Sequence, residues 1–363
     1  MPRTPTDPMT APAAPTLAVV IVNFNSWSDT SRLVRGLAGE AAVASGHCEV
    51  VVVDNASDGP IPPELANPAA NVRLIPRARN GGFAAGVNAG WRASSSRWLL
   101  LLNPDVVAGP GLIGRILGRI EELEGRPGGA PGIVGFGLRN ADGSRQPSVG
   151  AAPGLARSLR EPLIPRTRRK YQAAWRTKAG PVPWVTGACA LVDARLLCDL
   201  GGMDDDFFLY YEEVALCQSA RSLGRAVEYD PTVEVVHLHP LQNRAVTPKM
   251  RVITRHSKLL YFRKHRPAWE FRSLSVLVAV EAAVRGAWAS LRGEAAAARA
   301  WRAVGGLSRT VRAGTAPRGR AVLELAVAAV AAPPTGAARA KGKVGPKATP
   351  GRRRPQLRKD GTR

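Results

Sequence analysis

Apolar and polar positions alternate in blocks along the first hundred residues. Residues 17–23 (LAVVIVN) form a β-branched run that predicts a buried strand, and Ser28-Asp29-Thr30 can cap a helix over residues 31–37. Residues 49–53 predict a second strand ending on Asp54-Asn55. Residues 72–75 give a short third, followed by Asn80-Gly81-Gly82-Phe83 and a small-residue helix over 84–92. Residues 98–102 predict the fourth strand, which ends at Asn103-Pro104-Asp105. Strands separated by helical segments at this spacing predict an α/β fold, with a mostly parallel central sheet flanked by helices. In such sheets ligands sit beyond the carboxyl ends of the strands. Asn23, Asn25, Asp54, Asn55, Asn80 and Asp105 all fall at those ends.

Turns favour Asn and Asp at any single position, but four successive strand ends carrying them point to a nucleotide pocket. Asp54 is suited to accept from the imide of a pyrimidine base, and Asn25 and Asn55 to bond base or ribose. The Gly81-Gly82 pair lets backbone approach a ligand closely. No G-x-x-x-x-G-K-[ST] loop occurs in the chain.

Two acidic stops carry the candidate chemistry. The apolar run 99–102 ends on Asn103-Pro104-Asp105, and the aromatic run Phe207-Phe208-Leu209-Tyr210-Tyr211 leads into Glu212-Glu213. A carboxylate just past a buried strand can hold a divalent metal, and another facing it can deprotonate an incoming nucleophile. Together they suggest transfer chemistry on a phosphorylated donor. Paired glutamates at a helix start also suit the macrodipole, and a strand-end histidine such as His237 is in itself ordinary.

Composition changes the picture beyond residue 240. The chain has 363 residues and 45% hydrophobic content, enough for one large domain and an appendage. Residues 1–240 carry 24 Lys or Arg against 23 Asp or Glu, whereas residues 241–363 carry 27 against 5. Such a C-terminal third suits a polyanion, either nucleic acid or an anionic membrane surface. Cys48, Cys189, Cys198 and Cys217 show no C-x-x-C pairing and read as buried thiols in a reducing cytoplasm. Residues 1–15 read as a disordered leader with no stretch apolar enough for a signal peptide. Residues 150–183, with several prolines and a basic cluster around Arg166, Arg168, Arg169 and Lys170, predict a long loop or short helices. Such a surface is solvated or serves as a flap toward acceptor phosphates. Leu274, Leu277, Val278, Val284, Trp288 and Leu291 predict one apolar face of a helix, interrupted by Glu281 and flanked by Arg272, Arg285 and Arg292. The helix reads as amphipathic and too charged to span a bilayer, so this face either packs on the catalytic domain or meets a membrane. Residues 333–363 hold ten Lys or Arg and one Asp among Pro and Gly, and read as a disordered basic tail.

The strings VVIVNFNSW, VVVDNASDG, NGGFAAGVNAGWR, LLLLNPDV, WVTGACALVDARLL and GGMDDDFFLYYEEVALC resemble the glycosyltransferase family 2 enzymes of the GT-A fold. The similar subgroup is the bacterial rhamnosyltransferase-like proteins of cell-wall and surface-polysaccharide synthesis. The resemblance spans residues 16–240, leaving 241–332 as a helical, partly amphipathic extension. It implies a nucleotide-diphospho-sugar donor, a divalent cation (Mg or Mn) and inversion at the anomeric carbon. Asp54 then corresponds to the base-reading acid, and Asn103-Pro104-Asp105 takes the place of the D-x-D element, with Asp105 as metal ligand. Glu213 is the implied general base, with Glu212 as second choice. His237 is the implied further metal ligand, with His239 behind it. Asn88, within the glycine-rich string, and Gly187, which leaves space for a sugar ring, complete the implied nucleotide-sugar pocket. The family pattern E-D-x-D-L-C meets Ala215 here at its second acidic position, which bears on mechanism and acceptor choice more than on fold.

The leading reading is an inverting, metal-dependent transfer of L-rhamnose from dTDP-L-rhamnose to a polyprenyl-diphosphate-linked saccharide, at the cytoplasmic face of the cell membrane. A hexosyl or galactofuranosyl transferase using a UDP- or GDP-sugar is the first alternative. A sugar nucleotidyltransferase would carry a basic Gly-rich loop after the first strand, where this chain has Asn23-Phe24-Asn25-Ser26-Trp27. A nucleic-acid-binding role would rest on the basic tail alone, since the core is nearly neutral and lacks a recognition motif. No nucleic-acid partner is therefore expected.

Overall fold

The computed structural model describes residues 14–161, 178–239 and 245–331. All but the last two residues of the expected leader, most of the basic cluster near residue 168 and the tail 333–363 lie outside the described residues.

The N-terminal half is built as its apolar runs predict. Strands β1 (Leu17–Asn23), β2 (Cys48–Asp54), β3 (Val72–Pro76) and β4 (Trp98–Leu102) are parallel, in the order β3-β2-β1-β4. Every residue of β1 and β4 is buried, because helices cover both faces of the sheet. On one face Val20, Val22, Leu99 and Leu101 share a core with Ala84 and Val87; on the other Val19, Ile21, Leu100 and Leu102 pack with Leu33, Leu37 and Ile116. Full burial of such a side chain is worth about 1.5–3 kcal/mol, so these two layers carry the stability of this half.

Helix α1 (Trp27–Ala38) starts earlier than the 31–37 expected from the sequence. Ser26 takes the N-cap position without a side-chain bond, and Ser28-Asp29-Thr30 form the first turn. The buried carboxamide of Asn23 does the capping instead, its Oδ1 accepting from the Ser26 N–H (3.3 Å) and the Thr30 hydroxyl (2.9 Å). After α2 (Ala41–Ala44) and α3 (Pro63–Ala66) comes α4 (Phe83–Arg92). It lies so close to β1 that a Cβ on Gly86 would sit 2.5 Å from Val22 Cγ1, which explains the small-residue composition of this helix.

Beyond β4 the strand directions mix. The two-residue strand β5 (Val106–Val107) precedes α5 (Leu112–Glu124) and β6 (Ile133–Arg139). Short strands β7 (Arg145–Gln146) and β8 (Val149–Gly150), helix α6 (Leu155–Arg160) and strands β9 (Gly180–Pro181) and β10 (Trp184–Val185) then lead to β11 (Cys189–Asp193). Helices α7 (Ala194–Leu200) and α8 (Glu212–Ser222) and the long β12 (Val227–His237) follow. Strand β11 runs antiparallel between β4 and β6, β12 runs parallel to β6, and β5 closes that edge antiparallel to β12. At the end of β11 the fully buried Asp193 caps α7 through the Arg195 N–H (2.8 Å) and binds Arg97 and Arg225. The thiols of Cys48, Cys189 and Cys217 are buried and that of Cys198 is exposed, all four unbridged.

The C-terminal helices α9 (Pro248–His265), α10 (Ala268–Leu291), α11 (Ala295–Ala313) and α12 (Arg320–Val330) share a core with the sheet domain, bringing Leu259, Tyr261, Trp301 and Val322 together with Phe207, Val214 and Cys217. Arg255 forms a two-pronged ion pair with Glu281 (2.7 and 3.0 Å), and Arg251, Arg255 and Arg285 surround the Trp301 ring. Glu281, which interrupts the apolar face in the sequence, is therefore the anchor joining α10 to α9. The apolar residues of α10 do not act as one face. Leu274 and Val278 are buried in the interior with Phe271 and Ala282, while Val284, Trp288 and Leu291 point out to solvent.

Candidate active site

Five strand ends, those of β1, β2, β3, β4 and β12, and the start of α8 build the site. At the end of β1, the carboxamide of Asn23 donates to Asp54 Oδ1 (3.0 Å) and to Ser57 Oγ (3.0 Å). With its oxygen committed to α1, Asn23 is a scaffold for Asp54 and presents no free group to a ligand. Asp54 Oδ1 also accepts from the Ser57 hydroxyl at 2.6 Å. Among the described residues Oδ2 accepts only from the Ser57 N–H, at 3.3 Å, which leaves it the freer oxygen. Asn25 adopts a left-handed backbone (φ 54°) and pairs both ways with Asp58, through its Nδ2 at 3.0 Å and its Oδ1 at 2.7 Å.

The loop after β3 is fixed by Asn55. Its Nδ2 donates to Asn80 Oδ1 (2.9 Å) and the Gly82 carbonyl (3.0 Å), and its Oδ1 accepts from Arg77 (2.8 Å) and the Gly81 N–H (3.2 Å). Gly82 has φ +93°, and a Cβ there would fall 2.1 Å from the Phe208 carbonyl oxygen. That carbonyl accepts from the Phe83 N–H (3.2 Å), so the glycine-rich loop is seated on the segment leading to Glu212. The glycine pair thus serves contact between two protein loops. Gly187 lies in ordinary contact with the Phe83 ring, 3.4 Å from the position of a Cβ.

Asn88 lies within α4. Its carboxamide is buried and donates to the Met203 carbonyl (2.8 Å) while accepting from the Met203 N–H (2.7 Å), so both polar atoms clamp the 203 loop onto α4. Nothing local in the sequence marks that pairing, which spans 115 positions.

Asp105 and His237 come together because β5 pairs antiparallel with β12, setting Val106 opposite His237. His237 Nε2 lies 3.2 Å from Asp105 Oδ1, and both residues are buried. His237 Nδ1 pairs with the buried Gln146 Oε1 (3.2 Å), which turns Nε2 toward the carboxylate. Asn103 Nδ2 stands 3.4 Å from the same nitrogen. A carboxylate oxygen and an imidazole nitrogen facing each other, with the imidazole oriented by an amide behind it, form a donor set that fits a divalent cation. Among the described residues no cluster of three or more His, Cys, Asp or Glu surrounds it. Gln146 was not visible as a site residue in the sequence, where it is one polar position in a short segment. His239 is exposed and 3.8 Å from Asp29, away from Asp105.

Glu212 and Glu213 are buried in the first turn of α8. Tyr210 and Tyr211 before them both adopt left-handed backbone (φ 69° and 70°), two uncommon non-glycine conformations in succession that turn the chain sharply into the helix. Tyr211 is held by the Tyr261 ring at 5.4 Å, and burial pushes its phenol pKa up, keeping it neutral. Both carboxylates thereby sit at the positive end of a helix. Ala215, one turn on, is buried in the core.

The C-terminal helices also reach the site. Arg320 Nη1 donates to the Asn80 carbonyl (3.3 Å), and the Gly319 N–H donates to the Asp206 carbonyl (2.8 Å). Arg77, Arg79, Arg318 and Arg320 line a cavity of about 460 Å³ shared with Asp205 and Gly81. No sequence motif pointed to Arg318 or Arg320, whose role depends on how the last helix docks.

The family model described as glycosyl transferase family 2 matches residues 18–200. The N-acetylglucosaminyl-diphospho-decaprenol L-rhamnosyltransferase of Mycobacterium tuberculosis is 28% identical over 275 residues, covering 71% of this chain and 87% of that protein. The low-salt glycan biosynthesis hexosyltransferase Agl10 of Haloferax volcanii is 26% identical over 230 residues, covering 62% of this chain and 68% of its own. Among solved structures, the mannosyltransferase PcManGT of Pyrobaculum calidifontis, in complex with GDP-Man and Mn2+, aligns with a TM-score of 0.47 at 18% identity, over 90% of this chain and 89% of that one.

Proposed function

Because the chain belongs to glycosyl transferase family 2 and is a glycosyltransferase of the GT-A fold, we propose that its strand-end site moves L-rhamnose from dTDP-L-rhamnose to a hydroxyl of a lipid-linked, N-acetylglucosamine-type saccharide, with inversion. The observation that carries this reading is the Asp105–His237 pair at 3.2 Å, placed beyond the sheet where a donor diphosphate would lie.

In this reading Asp54, steadied by Asn23 and Ser57, accepts from the imide of the base. Asn25, Asn55, Asn80 and the Gly81-Gly82 backbone enclose the nucleoside side. Asp105 and His237 hold the divalent cation, Mg or Mn, with Asn103 beside them. When bound, such a cation neutralises the diphosphate as negative charge develops on the leaving group. Glu213 takes the proton from the acceptor hydroxyl, with Glu212 as its neighbour at the head of α8. Gly187 faces the sugar ring. The name of the mycobacterial relative supports the sugar and the acceptor; that of the archaeal relative supports hexosyl transfer more broadly. The basic C-terminal region would meet the anionic inner face of the cell membrane, where a polyprenyl-linked acceptor is anchored, each Lys or Arg near the surface contributing about 1 kcal/mol.

Calorimetric titration with dTDP, UDP and GDP, with and without Mn, tests the reading. Cation-dependent binding that prefers dTDP is expected. A preference for GDP would replace the donor, and equal binding with and without cation would remove Asp105 and His237 from their role.

A further inference from the structure

Helix α10 has two apolar sides, and the domain uses one. Phe271, Leu274, Val278, Ala282 and Ala289 are buried on the inner side. On the outer side Trp269, Val276, Val280, Val284, Trp288 and Leu291, at helical spacings of three, four and seven, are 54 to 86% exposed. They make one stripe along a 24-residue helix about 36 Å long. Between residues 273 and 291 the exposed positions are Ser, Val, Ala, Trp and Leu with a single charge, Arg285. That guanidinium bonds Glu281 (3.0 Å) and lies 5.6 Å from the centre of the Trp301 ring, so the stripe itself is uncharged. A monomer in water does not keep an apolar strip of this length bare without a use for it.

We infer that this face of α10 seats the enzyme on an anionic bilayer, lying in the plane of the headgroup boundary with its stripe against the acyl chains. The inference rests on the lipid-linked acceptor proposed above. Three observations favour lipid over a protein partner. The indole side chains of Trp269 and Trp288 stand toward the two ends of the stripe with β-branched residues between them, the arrangement that suits a membrane interface. Arg272 and Arg292 flank it, the latter 4.6 Å from the Trp288 ring centre, so that charge meets headgroups where the apolar face ends. Residues 241–363 carry 27 basic against 5 acidic side chains, complementary to an anionic leaflet. By length and composition α10 is the one described helix apolar enough to cross a membrane. Its inner side is fixed to the domain through Arg255–Glu281, so it offers lipid one face and lies flat.

The test is co-sedimentation of the full chain with phosphatidylethanolamine–phosphatidylglycerol vesicles, compared with Val280→Glu/Val284→Glu and with the uncharged Val280→Gln/Val284→Gln. Both positions are exposed, so the variants should melt like wild type. Wild type is expected to partition onto the vesicles, with its tryptophan emission quenched by brominated acyl chains. Both variants should lose about tenfold or more of that partition. Variants that bind as well as wild type would overturn the inference and leave the basic tail as sole attachment. Wild-type protein that ignores vesicles but forms a dimer dissolved by either variant would also overturn it, assigning the stripe to a second copy. Transfer to a short-chain, water-soluble acceptor analogue is measured in parallel and should be unchanged in the variants; its absence in all proteins would count against the transferase reading while leaving the vesicle result intact.

Discussion

In the proposed transfer Asp105 and Glu213 have different work to do, and single substitutions separate them. Asp105→Ala removes the carboxylate that faces His237 Nε2, and cation-dependent binding of the nucleotide diphosphate should fall to the level seen without cation by calorimetry. Glu213→Gln keeps size and burial but cannot accept a proton. Donor affinity should stay at the wild-type level while kcat falls by about 10²–10⁴. If kcat instead collapses in Glu212→Gln and holds in Glu213→Gln, the base is Glu212. The sequence placed Asp54, Asp105, Glu212, Glu213 and His237 at element ends, and the structure puts them there. It could not divide Asn residues into those facing a ligand and those holding the frame. Asn23 stands at a strand end and Asn88 within the glycine-rich string, and asparagine has the same letter whether its amide points into a pocket or, as in Asn88, to a backbone 115 residues away.

Whole elements were legible in proportion to how local their signal is. Strands β1 and β4 are buried on both faces, so an unbroken apolar run marks each of them. The two-residue strands β5, β7, β8, β9 and β10 have no such run, and β5 nevertheless decides where Asp105 meets His237. Helix α4 read as helical from its small residues, but the reason for the glycines lies in the neighbouring strand. Gly86→Ala would drive a methyl to within 2.5 Å of Val22 Cγ1. It should cost about 1–3 kcal/mol in chemical denaturation, despite the better helix propensity of alanine. Asp193→Ala removes a fully buried carboxylate that serves a helix cap and two arginines, and about 3–5 kcal/mol of stability should go with it.

Across the whole molecule, the seam between α9 and the approach to α12 is sensitive to acid. His256 is fully buried, donates through Nε2 to the Pro317 carbonyl (2.8 Å), and has its pKa lowered by burial from 6.5 to about 4. The unfolded chain binds the proton first, so stability rises with pH in this window. The contribution is complete above pH 6.5 and is lost as pH falls from there toward 4. The melting temperature should therefore drop between pH 7.5 and 5, and less so in His256→Gln. The same seam sets Arg320 on the loop of Asn80. Arg320→Ala, which removes about 1 kcal/mol of hydrogen bonding, should weaken donor binding about fivefold without altering the cation requirement.

The bond between Arg320 and Asn80 joins positions 240 residues apart. Everything else that fixes the glycine-rich loop, from Asn55 and Arg77 to the Phe208 carbonyl, has left the ribosome long before Arg320 is made. At ordinary rates of about 5–20 residues per second, a nascent chain spends roughly 4–17 seconds with its last strand made and this loop unlatched. Until Arg320 is made and α12 has docked, the loop lacks this latch, and donor binding should be weaker by about the same fivefold as in Arg320→Ala.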